Sequence, residues 1–169
     1  MNLQTSDLAQ YSPQNIAKEY WLGINLKKAT QASEPCLNDF SAALGPETLI
    51  SFISSWLEQA NDMINVKRGL NPTSIEIISI EILKDYGIFK ISEFIFLVIT
   101  ITKAENGSFF QSFSSEQVFS VFRNHKEKRK RFLQELHPEP KTKALNTNET
   151  MMFLAKNLDK LPALQNLCR

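Results

Sequence analysis

Phe94-Ile-Phe-Leu-Val-Ile-Thr-Ile-Thr102 is the stretch whose conformation decides the architecture of this chain. Its β-branched residues favour a strand, whereas Ser92-Glu93 just before it supplies a helix cap and an acidic first turn. The segments on either side carry helical periodicity, and a lone strand among helices has no neighbour for its backbone groups. We therefore read 94–102 as a buried central helix. The chain as a whole then reads as all-α: a compact bundle of about five helices with an additional C-terminal helix.

Upstream, Ser12-Pro13 has the form of a helix start, followed by Ile16, Tyr20 and Ile24 at four-residue spacing and fading near Ala32. Residues 33–44 read as a connection. Gly45-Pro46-Glu47 opens a second helix with the stripe Leu49, Phe52, Ile53, Trp56, Leu57, Ala60, Met63 and Ile64. Asn71-Pro72 repeats the start signal, and Ile75, Ile78, Ile82 and Tyr86 carry a third helix to a stop at Gly87.

Downstream, Glu105-Asn106-Gly107 ends the apolar helix and a loop carries Phe109, Phe110 and Phe113. Three phenylalanines so close together are either core plugs or an exposed anchor. Their solvation cost argues that two of them are buried. Ser114-x-x-Gln117 is a capping-box signature for a long helix reaching about Leu136. The organisation that follows is a helical domain over 1–137, a polar linker over 138–148 and a C-terminal amphipathic helix and tail over 149–169.

On a helical wheel, Val118, Phe122, Phe132, Leu133 and Leu136 share one side of the long helix, and His125 and Arg129 fall at its centre. A charge inside an apolar stripe must be paired or reach solvent. Asp85 and Glu93 flank the neighbouring helix junction and are the expected partners of Arg129. A structural ion pair is favoured over a ligand-facing guanidinium. His125 reads as a packed histidine, since no Ser, Cys or Asp constellation accompanies it.

The same helix carries Arg123, Lys126, Lys128, Lys130 and Arg131 around Arg129. From Arg123 to Lys143 eight basic residues face three acidic ones, in a chain whose net charge is only +1. This local excess is either a surface for phosphates or an acidic partner, or a solvated helix face.

Composition excludes the extremes. With 43% hydrophobic and 22% charged residues over 169 positions, the chain can bury a core unaided. Cys36 and Cys168 form no metal-spaced pair and read as free thiols. The N-terminus lacks the features of a signal peptide, and the longest apolar run is about half the ~20 residues of a spanning helix. The expectation is a soluble, cytoplasmic protein without membrane contact. No phosphate-cradling glycine loop, dinucleotide fingerprint, zinc motif or nucleophile elbow occurs, so no catalytic, cofactor or metal residue is assigned and no enzyme is expected.

Trp56-Leu57, Asn61-Asp62, Asn65, Arg68, Asn71-Pro72, Ile75, Asp85-Tyr86, Lys90-Ile91, Glu93, Gly107-x-Phe109, Gln111, Phe113, Phe122 and Arg129 form a spaced series. In that series the chain resembles a family of small uncharacterised proteins encoded by Bacteroidetes phages and mobile genetic elements. It departs from the family at Phe109-Phe110, where Tyr-Gly is usual, and at His125, where an aromatic is common. The resemblance implies no activity but a setting, accessory proteins of mobile DNA. The functional expectation is a non-enzymatic adaptor acting by protein–protein contact, in DNA replication or host takeover. The alternative is a direct nucleic-acid binder using the basic helix over 123–131.

Overall fold

The computed structural model describes residues 3–16, 23–64, 67–103 and 112–136. The expected linker and C-terminal helix, Phe109, Phe110 and Cys168 lie outside the described residues. Within them the chain is all-α, with seven helices and no strand. These are α1 (Thr5–Ala9), α2 (Leu26–Gln31), α3 (Leu37–Leu44), α4 (Pro46–Ile64), α5 (Pro72–Tyr86), α6 (Ile91–Thr102) and α7 (Ser115–Leu136). Packing divides the chain into Met1–Arg129, which holds the core, and Lys130–Arg169. No helix among the described residues is long and apolar enough to cross a membrane.

The decisive stretch is helical. Ile91, Ser92, Glu93, Phe94, Ile95, Leu97, Val98, Ile99 and Ile101 are all buried, which leaves the side of Phe96 and Thr100 partly open. A helix so largely apolar belongs at the centre of a core, and α6 packs against both α4 and α2. Its threonines are accommodated because each hydroxyl donates to the preceding turn, Thr100 to the Phe96 carbonyl at 2.9 Å and Thr102 to that of Ile99 at 2.8 Å.

α4 keeps one clean face to the core, with Leu49, Phe52, Ile53, Trp56, Leu57 and Ala60 buried. It lies against α5, where the Ser54 and Ser79 hydroxyls meet at 2.9 Å and Ser79 also donates to the Ile75 carbonyl. Asn71 caps α5 by accepting from the Ser74 N–H at 2.8 Å, with Pro72 in the first turn, as its sequence announces.

At the N-terminal end Ser12 to Ile16 forms turns, the expected helix position Tyr20 lies outside the described residues, Gly23 is helical, and α2 begins at Leu26, where Asn25 accepts from the Lys28 N–H at 3.0 Å. Tyr11 is tied down instead, its carbonyl accepting from the Trp56 indole N–H at 2.9 Å. The presumed connection 33–44 contains α3. Its first turn is fixed by Asp39, which accepts from the Cys36 N–H at 2.8 Å, and its core contacts are Leu37 and Phe40. Gly45, at φ +87°, is the single residue between the end of α3 and the start of α4.

Two helix starts satisfy each other. The Leu37 and Asn38 N–H groups at the head of α3 donate to the Phe89 and Gly87 carbonyls, while the Ile91 N–H at the head of α6 donates to the Pro35 carbonyl. The two segments touch so closely at Gly87 that an added Cβ would meet the Asn38 side chain and lie 2.6 Å from the Leu83 carbonyl oxygen. Asn38 is exposed and can move, but the backbone carbonyl cannot. Gly87→Ala is therefore expected to destabilise the protein by about 1–3 kcal/mol in urea denaturation, and adding Asn38→Ala should not restore the loss.

Candidate functional site

The most polar point of the interior is Glu93, third residue of α6 and fully buried. Its Oε2 accepts from the Lys90 N–H at 3.0 Å, which closes the helix start. Its Oε1 accepts from the Thr30 hydroxyl at 3.2 Å and lies 3.2 Å from His125 Nε2. Arg129 Nε donates to Oε1 at 2.9 Å and to Oε2 at 3.2 Å. Three elements, α2, α6 and α7, thus converge on one carboxylate.

The neighbours complete the docking of α2. The Ser92 hydroxyl donates to the Ala29 carbonyl at 3.0 Å, and Lys90 Nζ donates to the Ala32 carbonyl. Aromatic rings close the other side. His125 stands edge-on to Phe89, with centroids 5.0 Å apart, and the Arg129 guanidinium carbon lies 5.8 Å from the centre of the same ring. Phe89 and Phe122 stack with planes 14° apart, and Phe122 also meets Tyr86 and Phe94.

Burial alone would raise the Glu93 pKa. It is outweighed by the hydrogen bonds from His125 and the Lys90 N–H and by the charges of Arg129 and His125, so the carboxyl is held below its ordinary 4.5. An ionised carboxylate can accept about four hydrogen bonds, and the donors around Glu93 occupy that capacity. Such a group has no lone pair left for a substrate. With Arg129 Nε on the carboxylate and His125 nearly inaccessible at 3% exposure, the cluster ties α2, α6 and α7 together.

The expected ion pair therefore forms with Glu93. Asp85 is not its second partner, because it sits on the outward side of α5 and is exposed. The expected basic surface is divided. Arg123 is engaged with Glu116 on its own helix, and Lys126 lies over the Tyr86 ring at 5.5 Å. Lys128, Lys130 and Arg131 are exposed and make no ion pair among the described residues. Phe113 is not an exposed anchor but a core residue at 2% exposure, placed there by its N–H bond to the Arg68 carbonyl at 2.9 Å.

A cavity of about 320 Å³ opens beside α2, lined by Ile24, Lys28, Ala29, Ala32, Glu34 and Ser92 among others. One Glu34 oxygen is buried there without a hydrogen-bond partner among the described residues. No group of three His, Cys, Asp or Glu side chains among them could hold a metal ion. The Cys36 thiol is pushed above its ordinary pKa, first by burial and then by its hydrogen bond with Asp39, so it is a poor nucleophile.

What the sequence reading missed lies on the outside of α5. Ile77 and Ile80 are 52% and 45% exposed, and Ile88 just beyond the helix is 53% exposed. The signal was present, since isoleucine occupies both the inward positions 75, 78 and 82 and the outward positions 77 and 80.

The clamp makes two predictions. Arg129→Ala should cost about 3 kcal/mol of unfolding free energy, because a buried carboxylate loses its cation, and Arg129→Lys should cost less. The lowered Glu93 pKa means that the unfolded chain binds this proton first as pH falls. Its stabilisation is full above pH 4.5 and is lost as pH drops through the folded value, so Glu93→Gln should show a flatter decline of urea midpoint below pH 4.5.

No protein-family model, curated protein or solved structure matches this chain.

Proposed function

We propose that this protein is a non-enzymatic adaptor that works by protein–protein contact, and that the outward face of α5 is its contact surface. The observation that carries this reading is the exposure of Ile77 and Ile80, at 52% and 45%, on a helix whose opposite face is closed in the core, with Ile88 at 53% just beyond its end. Apolar side chains grouped on a rigid helix and edged by Glu76, Glu81, Lys84 and Asp85 have the make-up of a docking patch. The saturated state of Glu93 supports the same reading, because it leaves the strongest internal charge cluster with no role toward a small substrate. The resemblance to proteins of phages and mobile elements suggests accessory work in DNA replication or host takeover as the setting.

Direct nucleic-acid binding is the second reading, favoured by the exposure of Lys128, Lys130 and Arg131. It is weakened by the pairing of Arg123 with Glu116, whose carboxylate offsets one positive charge of that surface.

Fluorescence anisotropy with labelled single- and double-stranded DNA, followed from low salt upward, separates the two. The adaptor reading expects only weak binding that vanishes near 0.15 M salt, where surface charges are screened over roughly 8 Å. Binding that persists there, and that Lys128→Ala, Lys130→Ala and Arg131→Ala together abolish, would replace it. A photo-crosslinking residue introduced at position 80 tests the surface itself: the adaptor reading expects a protein adduct from that position and none from the exposed position 128.

A further inference from the structure

We propose that the outward face of α5 takes a second copy of this chain, paired as antiparallel helices with Ile80 on the two-fold axis. The inference rests on the reading of that face as a protein-docking surface and names its occupant. It comes from the order of charges along the helix. Measured around the axis from Ile80, Thr73 lies about 20° away, Glu76 and Lys84 about 40° to either side, and Ile77 and Leu83 about 60° to either side. Thr73, Glu76, Ile77, Ile80 and Lys84 are all exposed, and Leu83 is half-buried.

A two-fold axis through Ile80 sets each residue at the height of the one equally far on the other side. Ile80 then meets Ile80, and Ile77 comes level with the second copy's Leu83. Glu76 comes level with the second copy's Lys84, and the symmetry repeats that attraction at the other end. Parallel pairing would instead set Glu76 beside Glu76 and Lys84 beside Lys84, which is repulsive. An unrelated partner would require only apolar complementarity; a charge pattern that reads the same from both ends is what a second copy of the same helix requires. Because few large side chains are involved, the dimer is a weak and reversible one, on the order of ten micromolar or weaker.

The test is sedimentation equilibrium of the full chain from about 1 µM to about 1 mM, spanning the range expected for a small interface. Reversible dimerisation should appear in this range and disappear in Ile80→Asp. Glu76→Lys and Lys84→Glu should each weaken it about tenfold, since two attractions become two repulsions. Mixing these two variants in equal amounts should restore pairing, because each then supplies the charge the other lacks, and the double variant should self-associate like the natural chain. Circular dichroism of each variant confirms folding, which these exposed positions should leave unchanged.

A protein that stays monomeric throughout, or a dimer indifferent to Ile80→Asp, overturns the proposal, and so does a failure of the mixed variants to pair. The photo-crosslinking residue at position 80 separates this from the broader reading. A monomer that yields an adduct with a different protein removes the second copy but leaves the docking surface; a monomer that yields no adduct removes both.

Discussion

A single buried carboxylate governs this molecule. Glu93 has no exposure to solvent, and ionising it there is tolerable only because donors reach it from three directions. The donors belong to three different pieces of chain, so meeting the electrostatic requirement also fixes the geometry. The N–H of Lys90 sets where α6 begins, Thr30 sets how α2 lies on it, and His125 with Arg129 sets the rotation of α7 about its own axis. Apolar packing between these helices would tolerate many nearby arrangements; the hydrogen bonds to Glu93 admit few.

That division of labour explains how much of the molecule could be read from residues alone. The helical state of 94–102 was legible because Glu93 supplies an acidic first turn that accepts from the Lys90 N–H; Ser92, read as the cap, lies inside that turn and donates to the Ala29 carbonyl instead. Arg129 was legible as an internal clamp because its wheel position left it nowhere else to go, and Glu93 was one of two partners its position suggested. Asp85 was the wrong half of that choice. The two acids flank the same junction in sequence, and only the turn through Gly87 and Phe89 directs one outward and the other inward.

The misreadings share a cause. Ser12-Pro13 carries a good local start signal, but the carbonyl of Tyr11 is held by Trp56, a residue far along the chain, and residues 12–16 form turns. The helix Leu37–Leu44 was overlooked because its head is satisfied by carbonyls of residues 87 and 89 and not by a polar N-cap side chain of the usual kind. Local patterns report local energies, and both outcomes were settled by distant partners. The outward isoleucines of α5 were obscured for a different reason. When a helix carries isoleucine on two sides, periodicity alone does not say which side has found a core.

Seen as a functional object, the molecule keeps its reactive-looking groups to itself and presents its apolar ones. The carboxylate, imidazole and guanidinium that would attract attention in an enzyme are turned toward one another, while the side chains least suited to water stand on the outer face of α5.

The position of Arg129 in the chain has a consequence for biosynthesis. Glu93 and its cation are separated by 36 residues, and the carboxylate is made first. As the nascent chain leaves the ribosome, α2, α4, α5 and α6 are all available before α7, yet α6 cannot bury its acidic first turn at low cost without the guanidinium. The core therefore closes late in synthesis, and a chain arrested before residue 129 keeps its central helix at odds with its own surroundings, open to quality control.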